Sequence, residues 1–145
     1  MKLSTKGKYG LYAMFYLATR AGGGPQPLKS IAETGVPEQY LEQLLGSLRR
    51  AGLVSTVRGA QGGYQLARAP KAITVGDIID ATEGPIHLAE CLQDAQACGK
   101  SAECAARLVW GRLTRQINAL LQGINLEDML RQGESPNAWK EEKAL

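Results

Sequence analysis

The sequence predicts a mainly α fold with one small β-hairpin wing: a winged helix-turn-helix head followed by a long dimerisation helix. Three observations carry this expectation. Apolar residues recur at helical spacing in short segments bounded by Gly or Pro. Two β-type runs, residues 53–57 and 64–66, flank the Gly-rich stretch 58–63 and read as a hairpin. Further on, Ala106, Trp110, Leu113, Ile117, Leu120 and Ile124 recur at alternating spacings of four and three, an a/d heptad pattern.

Taken in order, Ser4 stands where it can cap a first helix, which runs to about residue 21 and stops at Gly22-Gly23-Gly24-Pro25. Tyr9, Tyr12, Ala13 and Tyr16 lie on one side of it, and Leu11, Met14, Phe15 and Ala18 on another. Such a helix is buried by more than one neighbour. Residues 27–34 (PLKSIAET) form a short second helix ended by Gly35. Pro37-Glu38 opens a third, since Pro suits a first helical turn. Leu41, Leu44, Leu45 and Leu48 make its core-facing stripe, and Gly52 ends it. Helix, helix, helix, hairpin is the layout of a winged helix-turn-helix.

Thr74 and Asp77 form a T-x-x-D capping box for a helix through Glu83, halted by Gly84-Pro85. A loop over residues 85–101 leads to the long helix, from about residue 102 to 122. Asn125 with Asp128 caps a last short helix ending at Gly133. The expected organisation is a DNA-binding head over 1–84, a cysteine-bearing sensor loop over 85–104, a dimerisation helix with a short closing helix over 105–133, and a flexible polar tail over 134–145. The heptad stripe spans too few repeats to hold a coiled coil alone. It serves either the chain's own core or a second copy, and a small DNA-reading head favours two copies in C2 symmetry.

At 145 residues and 44% hydrophobic, the chain can bury a core as one domain or one small domain with an appendage. No apolar run reaches the length of a membrane span, and the first residues contain no signal-peptide core, so a cytoplasmic protein is expected. The net charge of +3 hides an asymmetry. Residues 1–71 hold ten basic and three acidic side chains (+7), and the remainder holds seven and eleven (−4). One end is suited to a polyanion.

The third helix presents hydrogen-bonding side chains off its apolar stripe: Gln39, Tyr40, Glu42 and Gln43, with Arg50 further along. Gln pairs with adenine and Glu accepts from cytosine N4, while Glu42 also repels phosphate and so acts as a discriminator. Arg58 at the hairpin tip, with Gly59 and Gln61 beside it, is suited to a narrow minor groove. Ser4, Lys6 and Lys8, at the start of the first helix, are placed for phosphates.

Cys91, Cys98 and Cys104 follow a C-x6-C-x5-C spacing. An odd count argues against a disulfide framework. Thiolates in one loop suit iron–sulfur or zinc, or a reversible thiol switch. A four-ligand site is left one short, and His87 is the only histidine, so a Cys3His zinc site is one option.

The segments MKLSTKGKYGLYAM, YLEQLLGSLRRAGLV, VRGAQGGYQLAR and ITVGDIIDATEGP together resemble the bacterial winged-helix transcription regulators of the IscR, CymR and NsrR type. The resemblance covers about residues 1–130. It implies a homodimer joined through the long helix, with double-stranded operator DNA beneath two wings and contacts from Gln39, Tyr40, Glu42, Gln43 and Arg58. The three-cysteine loop is similar to that of the cluster-binding branch, which implies a 2Fe–2S cluster, or 4Fe–4S as in some nitric-oxide sensors, on Cys91, Cys98 and Cys104. Two departures stand out. The first gap is one residue longer than in the IscR pattern, and Arg107 occupies the position where that pattern has a histidine. The fourth ligand is open among His87, Glu90, Glu103 and an external thiol; Lys8 and Tyr12, in the region from which some relatives draw a ligand of the partner, are poor donors.

The expected function is a homodimeric regulator that senses iron–sulfur, iron or redox status and controls iron–sulfur or sulfur metabolism genes. The alternatives are a CymR-like repressor of cysteine metabolism without a cluster, acting with cysteine synthase, and a nitric-oxide-sensing repressor. A metal carrier would leave the wing and the basic half unused. One histidine and no Ser/His/Asp set or carboxylate pair point away from an enzyme.

Overall fold

The computed structural model describes residues 3–99 and 102–134. The expected tail over 134–145 lies, from residue 135 on, outside the described residues. Among the described residues six α-helices and one hairpin follow in order: α1 (Thr5–Thr19), α2 (Leu28–Ala32), α3 (Glu38–Arg50), β1 (Val54–Val57), β2 (Gly63–Leu66), α4 (Val75–Glu83), α5 (Ala105–Gln122) and α6 (Leu126–Glu134). Single 3-10 turns at Pro70–Ala72 and Glu90–Leu92 punctuate the connections.

The leucine stripe of α3 faces inward as its spacing requires: Leu41, Leu44, Leu45 and Leu48 are all buried. They meet Ala13, Met14 and Leu17 of α1, Ile31 of α2 and Ile78 of α4 in one core. Leu126 of α6 joins the same cluster, so the closing helix belongs to the head rather than to an appendage. Burying each of these leucine, isoleucine and methionine side chains is worth roughly 1.5–3 kcal/mol.

β1 and β2 pair antiparallel, from Val54 opposite Leu66 to Val57 opposite Gly63. A third segment reinforces the wing. Gln26, ahead of α2, exchanges two backbone hydrogen bonds with Tyr64, at 2.7 and 2.8 Å. Gly63 permits this approach: a Cβ there would lie 2.2 Å from the Gln26 carbonyl oxygen, and its φ is +155°.

Both predicted capping boxes close. The Thr74 hydroxyl accepts from the Asp77 amide at 3.0 Å, and the Asp77 carboxylate accepts from the Thr74 amide at 3.0 Å. Asn125 and Asp128 make the same reciprocal pair at 2.8 and 3.0 Å. The start of α4 is bolted to the end of α5. Ile73 accepts from the Leu126 amide, the Val75 amide donates to Ile124, and the Thr74 hydroxyl donates to Gln122 Oε1 at 2.7 Å.

Four expectations are corrected. The first helix ends at Thr19, and α2 is shorter than PLKSIAET, covering Leu28–Ala32 only. The long helix begins at Ala105, because Cys104 is extended (ψ 112°) and serves as its N-cap position. Finally, Ser4 sits at the N-cap of α1 but makes no side-chain cap; its hydroxyl donates to Glu83 instead.

Candidate nucleic-acid interface and cysteine loop

Gln39, Glu42 and Gln43 are exposed on the outer face of α3. With Gly46, Ser47 and Arg50 they line one shallow concavity. Arg50 Nη2 donates to Ser47 Oγ at 3.0 Å, which holds the guanidinium along the helix. Gly46 and Ser47 were not singled out in the sequence, yet both lie one turn beyond Glu42 and Gln43 on the same face. Tyr40 differs from its neighbours. It is half-buried, with its ring edge-on to Tyr9 of α1 at 5.6 Å between centroids. That contact seats the start of α3 on α1.

At the wing tip, Arg58, Gly59 and Gln61 are all exposed, and the turn closes through the Gly62 amide donating to the Gly59 carbonyl at 3.0 Å. Lys6 and Lys8 are exposed on the first turns of α1. Among the described residues the single ion pair is Arg131–Glu127, so Lys6, Lys8, Arg50 and Arg58 keep their charges uncompensated. Uncompensated, exposed cations are what a phosphate backbone requires.

Beyond α4 the chain turns at Gly84 (φ +84°) and runs back along α5. Two side chains of α5 stitch it down: Asn118 Nδ2 donates to the Ile86 carbonyl and Thr114 Oγ1 accepts from the Leu88 amide, both at 3.3 Å. Cys91 lies in the following 3-10 turn and is half-buried, Cys98 is exposed, and Cys104 is half-buried at the start of α5. All three are free thiols. His87 is half-buried, and Glu90 and Glu103 are exposed. Among the described residues no three His, Cys, Asp or Glu side chains are gathered to hold a metal ion. The donors therefore suit iron–sulfur chemistry by type, but their placement does not form a ligand set. Among the described residues of this region one buried polar atom is left over: Arg107 Nε, one turn past Cys104, has no hydrogen-bond partner.

No residue of α5 is buried. Leu108 and Leu120 are 77% and 70% exposed, and Val109, Trp110, Leu113 and Ile124 are also open. Val109, Trp110, Leu113 and Leu120 share one side of this 18-residue helix, Ile124 follows two residues past its end, and Leu108 lies on the opposite side. Scattered apolar exposure is ordinary on a protein surface; a helix-long stripe is not. Among the described residues no helix is long and apolar enough to cross a membrane.

Residues 3–132 match the profile of Rrf2, described as an iron-dependent transcriptional regulator. The chain belongs to the Rrf2 family. Among Rrf2 relatives, the HTH-type transcriptional regulator CymR of Bacillus subtilis (strain 168) is 49% identical over 130 residues, covering 89% of each chain. The solved structure of T. potens IscR superimposes with a TM-score of 0.75 at 47% identity, over 92% of this chain and 88% of that one. The structure of CymR, the global cysteine regulator of B. subtilis, gives a TM-score of 0.74 at 48% identity, over 89% of this chain and 95% of that one. The Rrf2 membership and these neighbours bear out the winged-helix fold and the regulatory class, and they set the chain apart from enzymes.

Proposed function

We propose that this Rrf2-family transcription regulator is a homodimer that reads two operator half-sites and receives its signal at the three-cysteine loop. The observation that carries DNA reading is the exposed polar face of α3, mounted on a fully buried leucine stripe. A recognition helix needs that combination, because the apolar back fixes the register in which the polar face meets base edges. Arg58 reaches out from the wing, and Lys6 and Lys8 supply charge for phosphates. The exposed stripe of α5 supplies the self-association surface.

Replacing Arg58 with Ala is expected to weaken binding to a selected duplex about tenfold. It should also lower the slope of log K against log salt by about one ion. Fluorescence anisotropy across a salt series measures both. An unchanged slope would remove Arg58 from the interface.

For the signal, the sulfur donors at Cys91, Cys98 and Cys104 favour an iron–sulfur cluster, 2Fe–2S by the family resemblance, with His87 a further donor in the same segment. The unpartnered Arg107 Nε–H favours the same reading, since a buried donor is served by an anionic or sulfur acceptor. A second reading is a CymR-like regulator without a cluster. Its support is the 49% identity to CymR and the lack, among the described residues, of three gathered ligand side chains. Anaerobic purification followed by a visible spectrum and iron and sulfide analysis decides between them. Visible absorption lost in Cys91→Ser and Cys104→Ser supports the cluster. A colourless, iron-free protein that cannot be reconstituted supports the CymR-like reading.

A further inference from the structure

Glu83, the last residue of α4, does work that no helix terminus requires of it. Its Oε1 accepts from the Ser4 amide at 2.6 Å, from the Ser4 hydroxyl, and from the Gly7 amide at 3.2 Å. These are orphan donors of the first turn of α1, a helix with no acidic residue of its own there and no side-chain cap. The anion that its N-terminus calls for is thus delivered from a residue 79 positions later. Gly7 makes the approach feasible: a Cβ at that position would lie 2.8 Å from Glu83 Oε1.

The other side of Glu83 is the strap to the cysteines. Gly84 and Pro85 follow directly; the strap is then hydrogen-bonded to α5 through Thr114 and Asn118, at 3.3 Å each, and its 3-10 turn packs on the same helix. One carboxylate therefore joins the start of α1 to the segment that leads into Cys91. We infer that Glu83 is a positioning residue that couples the cysteine strap to the DNA-facing first turn of α1. The inference rests on the reading that this turn, with Lys6, meets the operator backbone. A shift of the strap that withdraws Glu83 leaves the Ser4 and Gly7 amides without their acceptor, so the first turn reorganises and Lys6 moves with it. Coupling of this kind requires two arrangements of one contiguous contact, and the three hydrogen bonds to Glu83 provide one that is either made or broken.

The test uses the full chain and a fluorescent duplex selected by the protein from a random library. Operator affinity is measured with loop thiols free and after alkylation by iodoacetamide, for wild type, Glu83→Gln and Glu83→Ala. In wild type the two states should differ about fivefold or more, the lower end of ordinary allosteric coupling. Glu83→Ala should bind DNA with the two states within about twofold of each other, and Glu83→Gln, which keeps an acceptor oxygen, should fall between. A merely structural residue would lower affinity or stability while leaving the ratio of the two states unchanged. The inference is overturned if Glu83→Ala responds like wild type, or, should that variant not fold, if Glu83→Gln does. It is also overturned if wild type shows no response to alkylation. Failure of wild type to bind any duplex would instead sink the DNA reading, and Lys6→Ala separates the cases. Unchanged wild-type affinity on that substitution removes the first turn of α1 from the interface while leaving α3 and the wing in place.

Discussion

Leu120→Glu is expected to leave the protein monomeric and to weaken binding to a two-half-site duplex by about 100-fold or more, the loss of avidity on unlinking two heads. Leu120 is 70% exposed in the single chain and lies within the apolar stripe of α5. A charge there costs the isolated fold almost nothing, but it would be desolvated in a paired interface. The melting behaviour of the monomer should therefore stay close to that of wild type at matched oligomeric state. Size-exclusion chromatography with light scattering gives the mass, and anisotropy gives the affinity. A wild type that is already monomeric at micromolar concentration, or a variant that remains dimeric, removes α5 as the seam.

The second large effect concerns α3. Leu41 is fully buried and stands between the candidate contact residues Tyr40 and Glu42. Leu41→Ala should destabilise the fold by about 2–5 kcal/mol, through lost transfer energy and the cavity left behind. Urea unfolding followed by circular dichroism measures this. A cost below about 1 kcal/mol would mean the site collapses around the smaller side chain, and that α3 is less firmly seated than its burial implies.

Local features of the fold were legible where neighbours in sequence decide the structure. The leucine stripe, the Thr74–Asp77 and Asn125–Asp128 caps and the Gly-rich wing turn all depend on residues a few positions apart. The expectations that changed depend on distant partners. Ser4 has the chemistry of a cap, but its hydroxyl goes to Glu83, 79 residues away, which offers a full negative charge instead of a backbone amide. Gln26 carries no strand signal, and its pairing with Tyr64 exists only because Gly63 opens the space. Helical periodicity drew α5 back to residue 102, whereas Cys104 holds an extended backbone and delays the start.

The candidate site shows the same division. The polar face of α3 followed from spacing alone, while the half-burial of Tyr40 against Tyr9 required knowing where α1 lies. Spacing brought Cys91, Cys98 and Cys104 into one segment, but chain proximity does not make a ligand set. A loop with little apolar content has no periodicity from which the relative placement of its thiols could be read.

The joint between α4 and α5 has a consequence for the length of DNA the protein can accept. Backbone hydrogen bonds from Leu126 to Ile73 and from Val75 to Ile124, with the Thr74–Gln122 contact, tie the head to the end of α5 at three points. In a dimer paired along α5, the separation and relative rotation of the two heads are then set by that rigid corner, which works as a ruler. A spacer longer by one base pair, about 3.4 Å along the axis and roughly a tenth of a turn, would put the second half-site out of register with a head that cannot swing to meet it.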